Sequence, residues 1–370
     1  MKTICIVNFN IYALLDSSSE AAMGGAELDM WVLARALKKK GYTVRILTGD
    51  WGQDKILKKE NIEIYRSFKM NRGFWNYLRA PGLLFCVLKK INADIYITTS
   101  ASPEVGLIAF FARCYKKRFI YRTAHDIDCD GTYIKSNGIR GWLYKYGLER
   151  ADKIVVSVRN HQLLLKVTHK TLKDISFIPL GLDTGHLAGS VAEKNKEYIL
   201  WVARCEEWKQ PYIFLDLATE MPLFKFVMIC PMQGHNQGYF NEIKNRAKSL
   251  ENVTFIDFVP FKDIQPFFDK AKIFVNTSQA EGFTYTLIQS GLAATPVVYL
   301  NVDPDDVIKK NNIGFFSENN LFEMRKQLSI LMRDSSNWKE KSDNIQEYVV
   351  KEHSMDLLGT QWFNLINKIR

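Results

Sequence analysis

At 370 residues, 47% hydrophobic and 24% charged, the chain is long for one core and comfortable for two globular domains, and its composition excludes disordered and collagen-like classes. Six scattered cysteines, Cys5, Cys86, Cys114, Cys129, Cys205 and Cys230, include no close pair, which argues against a zinc site or disulfide scaffold and for a reducing, cytoplasmic compartment. The net charge of +10 is uneven: residues 1–180 hold 29 Lys and Arg against 16 Asp and Glu, whereas 181–370 hold 21 against 24.

The N-terminal MKTICIVNFNIY has a short apolar run without a small-residue cleavage site, so it reads as a buried first strand and not a signal peptide. AELDMWVLARALKKKG follows, with apolar residues at helical spacing and a Lys-rich, Gly-terminated end. Then come YTVRILT, a helix-rich basic stretch, ADIYITT, EVGLIAFFARCYKK, RFIYRTA, the helical GWLYKYGLERA and DKIVVSV. Strands separated by helices of this length predict parallel βαβ units. Residues 179–196, PLGLDTGHLAGSVAEKNK, lack periodicity and form the expected linker. The alternation restarts with EYILWVAR, FKFVMIC, VTFIDFV, AKIFVNT and TPVVYLN. Apolar runs such as VGLIAFFA at 105–112 fall far short of a membrane span. The expected architecture is α/β, two doubly wound domains, with the ligand in a cleft where the carboxyl ends of both sheets face each other.

The positive charge is densest over residues 66–90, RSFKMNRGFWNYLRAPGLLFCVLKK, with six basic residues, no acidic one and five aromatics. A solvated helix face would mix both signs. Aromatics interleaved with the charge favour an anionic membrane surface over nucleic acid, for which no reading module is recognisable. Arg66, Lys69, Arg72, Trp75 and Arg79 are the candidate membrane or acceptor contacts.

Four segments follow expected strands. In MGGAE, residues 23–27, Gly24 and Gly25 precede a helix whose N-terminus attracts anions, although Gly-Gly is more often only a tight loop. In RTAHDID, His125 can donate to a substrate oxygen or be a structural histidine. Asp126 and Asp128 lack the further oxygen ligands that a metal would need, so no metal is expected. In WVARCEEWKQP, Arg204 and Lys209 suit a diphosphate clamp, a bidentate guanidinium beside a point charge. In EGFTYTLIQ, Glu281 either favours a helix start through the dipole or faces a ligand beside Gly282.

In order and spacing these segments resemble one family over nearly the whole chain: the GT4-type retaining glycosyltransferases of the GT-B fold. GGAE resembles its glycine loop, His125–Asp126 its active-site histidine region, and IPLGLD at 178–183 its domain-boundary IPNGVD. The Arg204-x4-Lys209 spacing resembles the phosphate clamp, NVTFIDFVP at 252–260 the base-binding strand and loop, and EGF…Q…TPVV the family's closing motif. HSMDLLGTQWFNLINKIR resembles the helix that crosses back onto the N-terminal domain.

The resemblance implies two Rossmann-like domains, 1–182 on the acceptor side and 183–354 on the donor side, with a helix at about 355–370 rejoining the first. It implies a UDP- or GDP-linked sugar donor and no metal or other cofactor; taken with the 66–90 patch, the expectation is a lipid-linked or polysaccharide acceptor and a cytoplasmic enzyme peripheral to the inner face of the cell membrane. Arg204 and Lys209 would hold the diphosphate, with support from the Gly24 and Gly25 amides. Glu281, His125 and the Phe283 and Thr284 amides would meet the sugar, and Asp126 and Gly282 would lie beside them. Phe258 and Val259 would face the base. Gln289 stands where the family has a ribose-binding glutamate, and Thr284 and Ala294 where it has glycines. A neutral amide makes weaker bonds than a carboxylate, about 1 against 1.5–3 kcal/mol, so Gln289→Glu is expected to keep or tighten donor binding in a calorimetric titration. A nucleotide-sugar epimerase of the same fold, or a non-catalytic sugar-nucleotide-binding subunit, is the competing reading. A rearranged sugar nucleotide formed without acceptor would mark the first.

Overall fold

The computed structural model describes residues 2–15, 24–69, 74–169, 174–184, 193–232 and 236–369. They form two compact units, one running to Gly181 and resuming at Met355, the other spanning Leu182–Ser354.

The first unit opens with β1 (Thr3–Val7), α1 (Tyr12–Leu15), α2 (Gly25–Lys39) and β2 (Thr43–Asp50), then β3 (Ile56–Lys59), β4 (Ile62–Lys69) and α3 (Phe74–Ile91). It continues through β5 (Ile95–Thr99), α4 (Pro103–Cys114), β6 (Arg118–Arg122), α5 (Thr132–Ser136), α6 (Gly138–Glu149), β7 (Lys153–Val156), α7 (Arg159–Thr168) and β8 (Ile175–Phe177). The sheet order is β3-β4-β2-β1-β5-β6-β7-β8, parallel except for β3 against β4. TICIV and IYITT are apolar on both faces because β1 and β5 lie at the sheet centre, paired Ile4 to Ile95 and covered by helices.

The β3–β4 hairpin corrects the expected helix-rich basic stretch. Its two-residue turn is Glu60–Asn61, both at positive φ (47° and 58°), the geometry that matches strand twist. Arg66 and Lys69 therefore lie on β4 and not on a helix with Arg79. Arg66 is engaged internally, donating to the Gln53 carbonyl (2.7 Å) beside Asp50 (3.5 Å), so it is no free surface contact. Arg79 is exposed on α3, whereas Arg72 and the side chain of Trp75 lie outside the described residues.

The second unit contains β9 (Tyr198–Val202), α8 (Pro211–Glu220), β10 (Phe226–Ile229), α9 (Gln237–Lys248), β11 (Val253–Ile256), α10 (Gln265–Lys270) and β12 (Ala271–Asn276). After α11 (Tyr285–Leu292), β13 (Val297–Tyr299), α12 (Val307–Asn311) and β14 (Gly314–Phe316), the helices α13 (Leu321–Arg333) and α14 (Ser335–Glu352) complete it. Its all-parallel sheet runs β11-β10-β9-β12-β13-β14, so the winding direction reverses between β9 and β12. The chain then returns to the first unit as α15 (Met355–Lys368).

Two details of the second unit carry stability predictions. Ala294 closes α11 at φ +52°, a conformation a β-carbon disfavours. Ala294→Gly is expected to raise the unfolding free energy by about 0.5–1 kcal/mol in urea melts. Lys196 is buried and donates to the Ala293 carbonyl (2.7 Å) and Thr295 Oγ1 (2.8 Å), and burial lowers its pKa from 10.5 to about 8. The folded state thus releases this proton before the unfolded chain does, so the Lys196 contribution to stability rises with pH from about 8 towards 10.5. The gain is up to about 3 kcal/mol, and urea midpoints measured at both ends of that window should lose it in Lys196→Met.

The first unit is locked around Arg122, at the end of β6. Its buried guanidinium forks onto Asp29 of α2 through Nε and through Nη2 (3.1 Å to Oδ1), and donates to the carbonyls of Ile178 (3.1 Å) and Pro179 (3.3 Å). It also lies 5.7 Å from the ring centroid of Trp362 on α15, so one cation joins four segments.

Candidate active site

In parallel open sheets ligands bind beyond the strands' carboxyl ends, where the winding reverses. In the second unit that point separates β9 from β12, and the segments leaving these strands bear Arg204, Lys209 and Glu281. Trp208 and Lys209 occupy a short turn that ends at Gln210, whose φ of +52° redirects the chain into α8. Two bonds lace this turn to the loop after β12. Thr277 Oγ1 donates to the Lys209 carbonyl (2.7 Å) while accepting from Trp201 Nε1 (2.9 Å), and the Gln279 amide donates to the Trp208 carbonyl (2.8 Å).

That lacing brings Lys209 and Glu281 into a direct ion pair, with side chains only 12% and 8% exposed. Lys209 Nζ also sits 3.9 Å from the Trp208 ring centroid. Burial lowers the Lys209 pKa and the Glu281 carboxylate opposes the shift. Arg204 is half-buried, 3.3 Å from Glu206. Two cations and two carboxylates thus share a small volume.

The helix that follows is capped by its own sequence. Thr284 caps α11 at φ −100°, accepts from the Leu287 amide (3.4 Å) and shares a hydrogen bond with Tyr299 (3.0 Å). This extended backbone suits threonine without strain. Gly282 is buried, and the Phe283 ring stacks on His353 (4.4 Å, 26°). Gln289 is 4% exposed on the inner face of α11, and its side-chain amide bonds to no group among the described residues. Phe258 and Val259 follow β11, half-buried.

In the first unit, Asp128 is a backbone clamp: it accepts from the amides of Ala101 (2.8 Å), Ala124 (2.6 Å) and His125 (3.0 Å). This fixes the loop after β6 and leaves the His125 side chain exposed. Asp126 bonds to the buried His161 (2.9 Å), whose other ring nitrogen lies 3.0 Å from Thr123 Oγ1. The Gly24 amide donates to Glu27 Oε2 (3.0 Å), half of a capping box, so it is unavailable to a phosphate; this corrects the paired-glycine expectation and leaves Gly25. Among the described residues no group of three or more metal-ligating side chains gathers. Trp208, Thr277, Asp128 and His161 had no motif to reveal them; only their places after strand ends hinted at a role.

Two Rossmann-like units with these loops define the GT-B class of glycosyltransferase folds. Residues 23–186 match the model of Glycosyltransferase Family 4 and residues 186–351 that of Glycosyl transferases group 1, and the chain belongs to this family of glycosyltransferases. In fold it is similar to sucrose-phosphate synthase from Thermosynechococcus elongatus (TM-score 0.80, 14% identity, 100% of this chain and 99% of that one). It is likewise similar to HepE of Anabaena, crystallised with UDP and glucose (0.78, 15%, 100% of both chains). A glycosyltransferase from Rickettsia africae aligns at TM-score 0.72 and 18% identity, over 100% of this chain and 98% of that one. A curated relative, poly(ribitol-phosphate) α-N-acetylglucosaminyltransferase of Staphylococcus aureus (strain COL), is 28% identical over 126 residues, 32% of this chain. The chain spans 25% of that relative's length. Among the described residues no helix is long and apolar enough to cross a membrane.

Proposed function

We propose that the enzyme transfers a sugar, with retention of configuration, from a UDP- or GDP-linked donor to a lipid-linked or polysaccharide acceptor in cell-surface glycan synthesis, at the inner face of the cell membrane and without a metal. The observation that carries this reading is the gathering of Arg204, Lys209 and Glu281 at the β9–β12 reversal. As the bond from sugar to diphosphate breaks, charge builds on the leaving oxygen, and two fixed cations stabilise that charge more than the ground state. The leaving phosphate then takes the acceptor's proton as the acceptor attacks from the same face. Glu281 contacts the sugar, the Gln289 amide meets the ribose, and Phe258 and Val259 border the base.

The poly(ribitol-phosphate) in the Staphylococcus aureus relative's name and the UDP-glucose complex of the Anabaena protein support the acceptor and donor classes. A thermal-shift screen of UDP- and GDP-sugars tests the donor, because a ligand of the folded state raises Tm. One nucleotide series should stabilise the wild type and stabilise Arg204→Ala much less. Stabilisation by none, or equal stabilisation of both proteins, would sink the assignment.

A further inference from the structure

A second basic cluster of the first unit lies apart from the residues proposed for sugar transfer. A cavity of about 460 Å³ opens where β6 and β7 begin, at the opposite end of these strands from the loop that bears His125. Helices α4 and α6 form it. They touch backbone to backbone at Gly106 and Gly147, where a β-carbon on Gly106 would stand 2.2 Å from the Leu143 carbonyl oxygen, and their C-terminal ends border the cavity. Its walls carry Arg113, Lys116, Lys117, Arg118 and Arg150 against only Glu149 and Asp152.

Internal partners account for two of the five cations: Arg118 pairs with Asp152 (2.7 Å) and Arg150 lies over the Tyr146 ring (4.0 Å). Arg113, Lys116 and Lys117 have no ion pair or side-chain hydrogen bond among the described residues. The helix dipole accounts for Arg113, in the last turn of α4, but its field fades within that turn, and Lys116 and Lys117 lie past the cap residue Tyr115. Lys116, at φ +54°, is the left-handed residue that closes α4, with the Lys117 amide donating back to the Ala112 carbonyl (2.7 Å). This turn presents Lys116 and Lys117 side by side at the cavity, and a preset cavity lined by like charges favours an anion as their partner.

We propose that this cavity binds a phosphate monoester or diester of headgroup size, apart from the Arg204–Lys209 site. The exposed rings of Phe110 and Tyr115 beside it suit a phosphate presented at a lipid surface, and a soluble phosphate ester offers the same chemistry.

The test uses the full chain on an Arg204→Ala background, which weakens the other phosphate site and leaves the Lys209–Glu281 pair intact. One arm is flotation with phosphatidylcholine vesicles, with and without phosphatidylglycerol; the other is calorimetry with glycerol 3-phosphate. Binding in either arm should fall about fivefold in Lys116→Gly and about twenty-five-fold when Lys117→Gln is added. Lys116→Gly suits its backbone conformation, so its Tm should hold or rise and misfolding is not the cause of any loss. Charge-dependent binding to vesicles alone supports a lipid phosphate, and binding to glycerol 3-phosphate supports a soluble one. No binding at low salt, or variants that bind as tightly as their parent, would overturn the proposal.

Discussion

Lys209→Ala is expected to lower kcat/KM for the sugar donor by about a hundredfold to a thousandfold, the usual loss when a fixed group that stabilises developing negative charge is removed. A second effect accompanies it. Glu281 is almost wholly buried against Lys209, so the single change leaves a carboxylate without its counter-charge, which costs about 3–5 kcal/mol of stability. Lys209→Ala/Glu281→Ala removes both charges and should recover a large part of that loss in urea melts while remaining inactive. Activity and stability therefore separate: the single variant loses both, the double variant mainly the first. Turnover by Lys209→Ala within a few-fold of wild type would remove Lys209 from the clamp. A double variant no more stable than the single one would mean that the pair is effectively solvated.

Asp29→Ala should cost the first unit about 3–5 kcal/mol, because Arg122 would keep its charge in a buried setting with only two backbone carbonyls and one indole face for company. The loss should register beyond α2, since Arg122 also touches Pro179 and Trp362. Limited proteolysis is expected to cut near α15 earlier than in wild type. Asp29→Leu/Arg122→Met, which replaces the pair by apolar side chains, should be more stable than Asp29→Ala. A change below about 1 kcal/mol in Asp29→Ala would mean that the carboxylate is not what holds the guanidinium.

The doubly wound fold was legible because its central strands are short apolar runs bounded by turn residues, as in TICIV, YILWV and KIFVN. The β3–β4 hairpin was not: its turn uses Glu60 and Asn61 instead of a glycine, and IEIYRSFK places Glu63 and Arg66 on opposite faces, so no clean alternation marks the strand. The site divides similarly. Arg204, Lys209 and Glu281 announced themselves through spacing, but Asp128 and Thr277 act on backbone atoms of segments distant in sequence, and no local pattern reveals such bonds. Thr284 sits at φ −100°, so the absence of a glycine there imposes no backbone strain.

The return of α15 to the first unit sets an order on synthesis. Trp362, which covers one side of Arg122, leaves the ribosome only after all of the second unit, roughly ten to forty seconds after Gly181 at ordinary elongation rates. Throughout that interval the growing chain exposes the apolar surface that Met355, Leu358 and Trp362 later bury. The contiguous second unit can therefore reach its final form first, and the nascent first unit is the stage at which a chaperone would be needed.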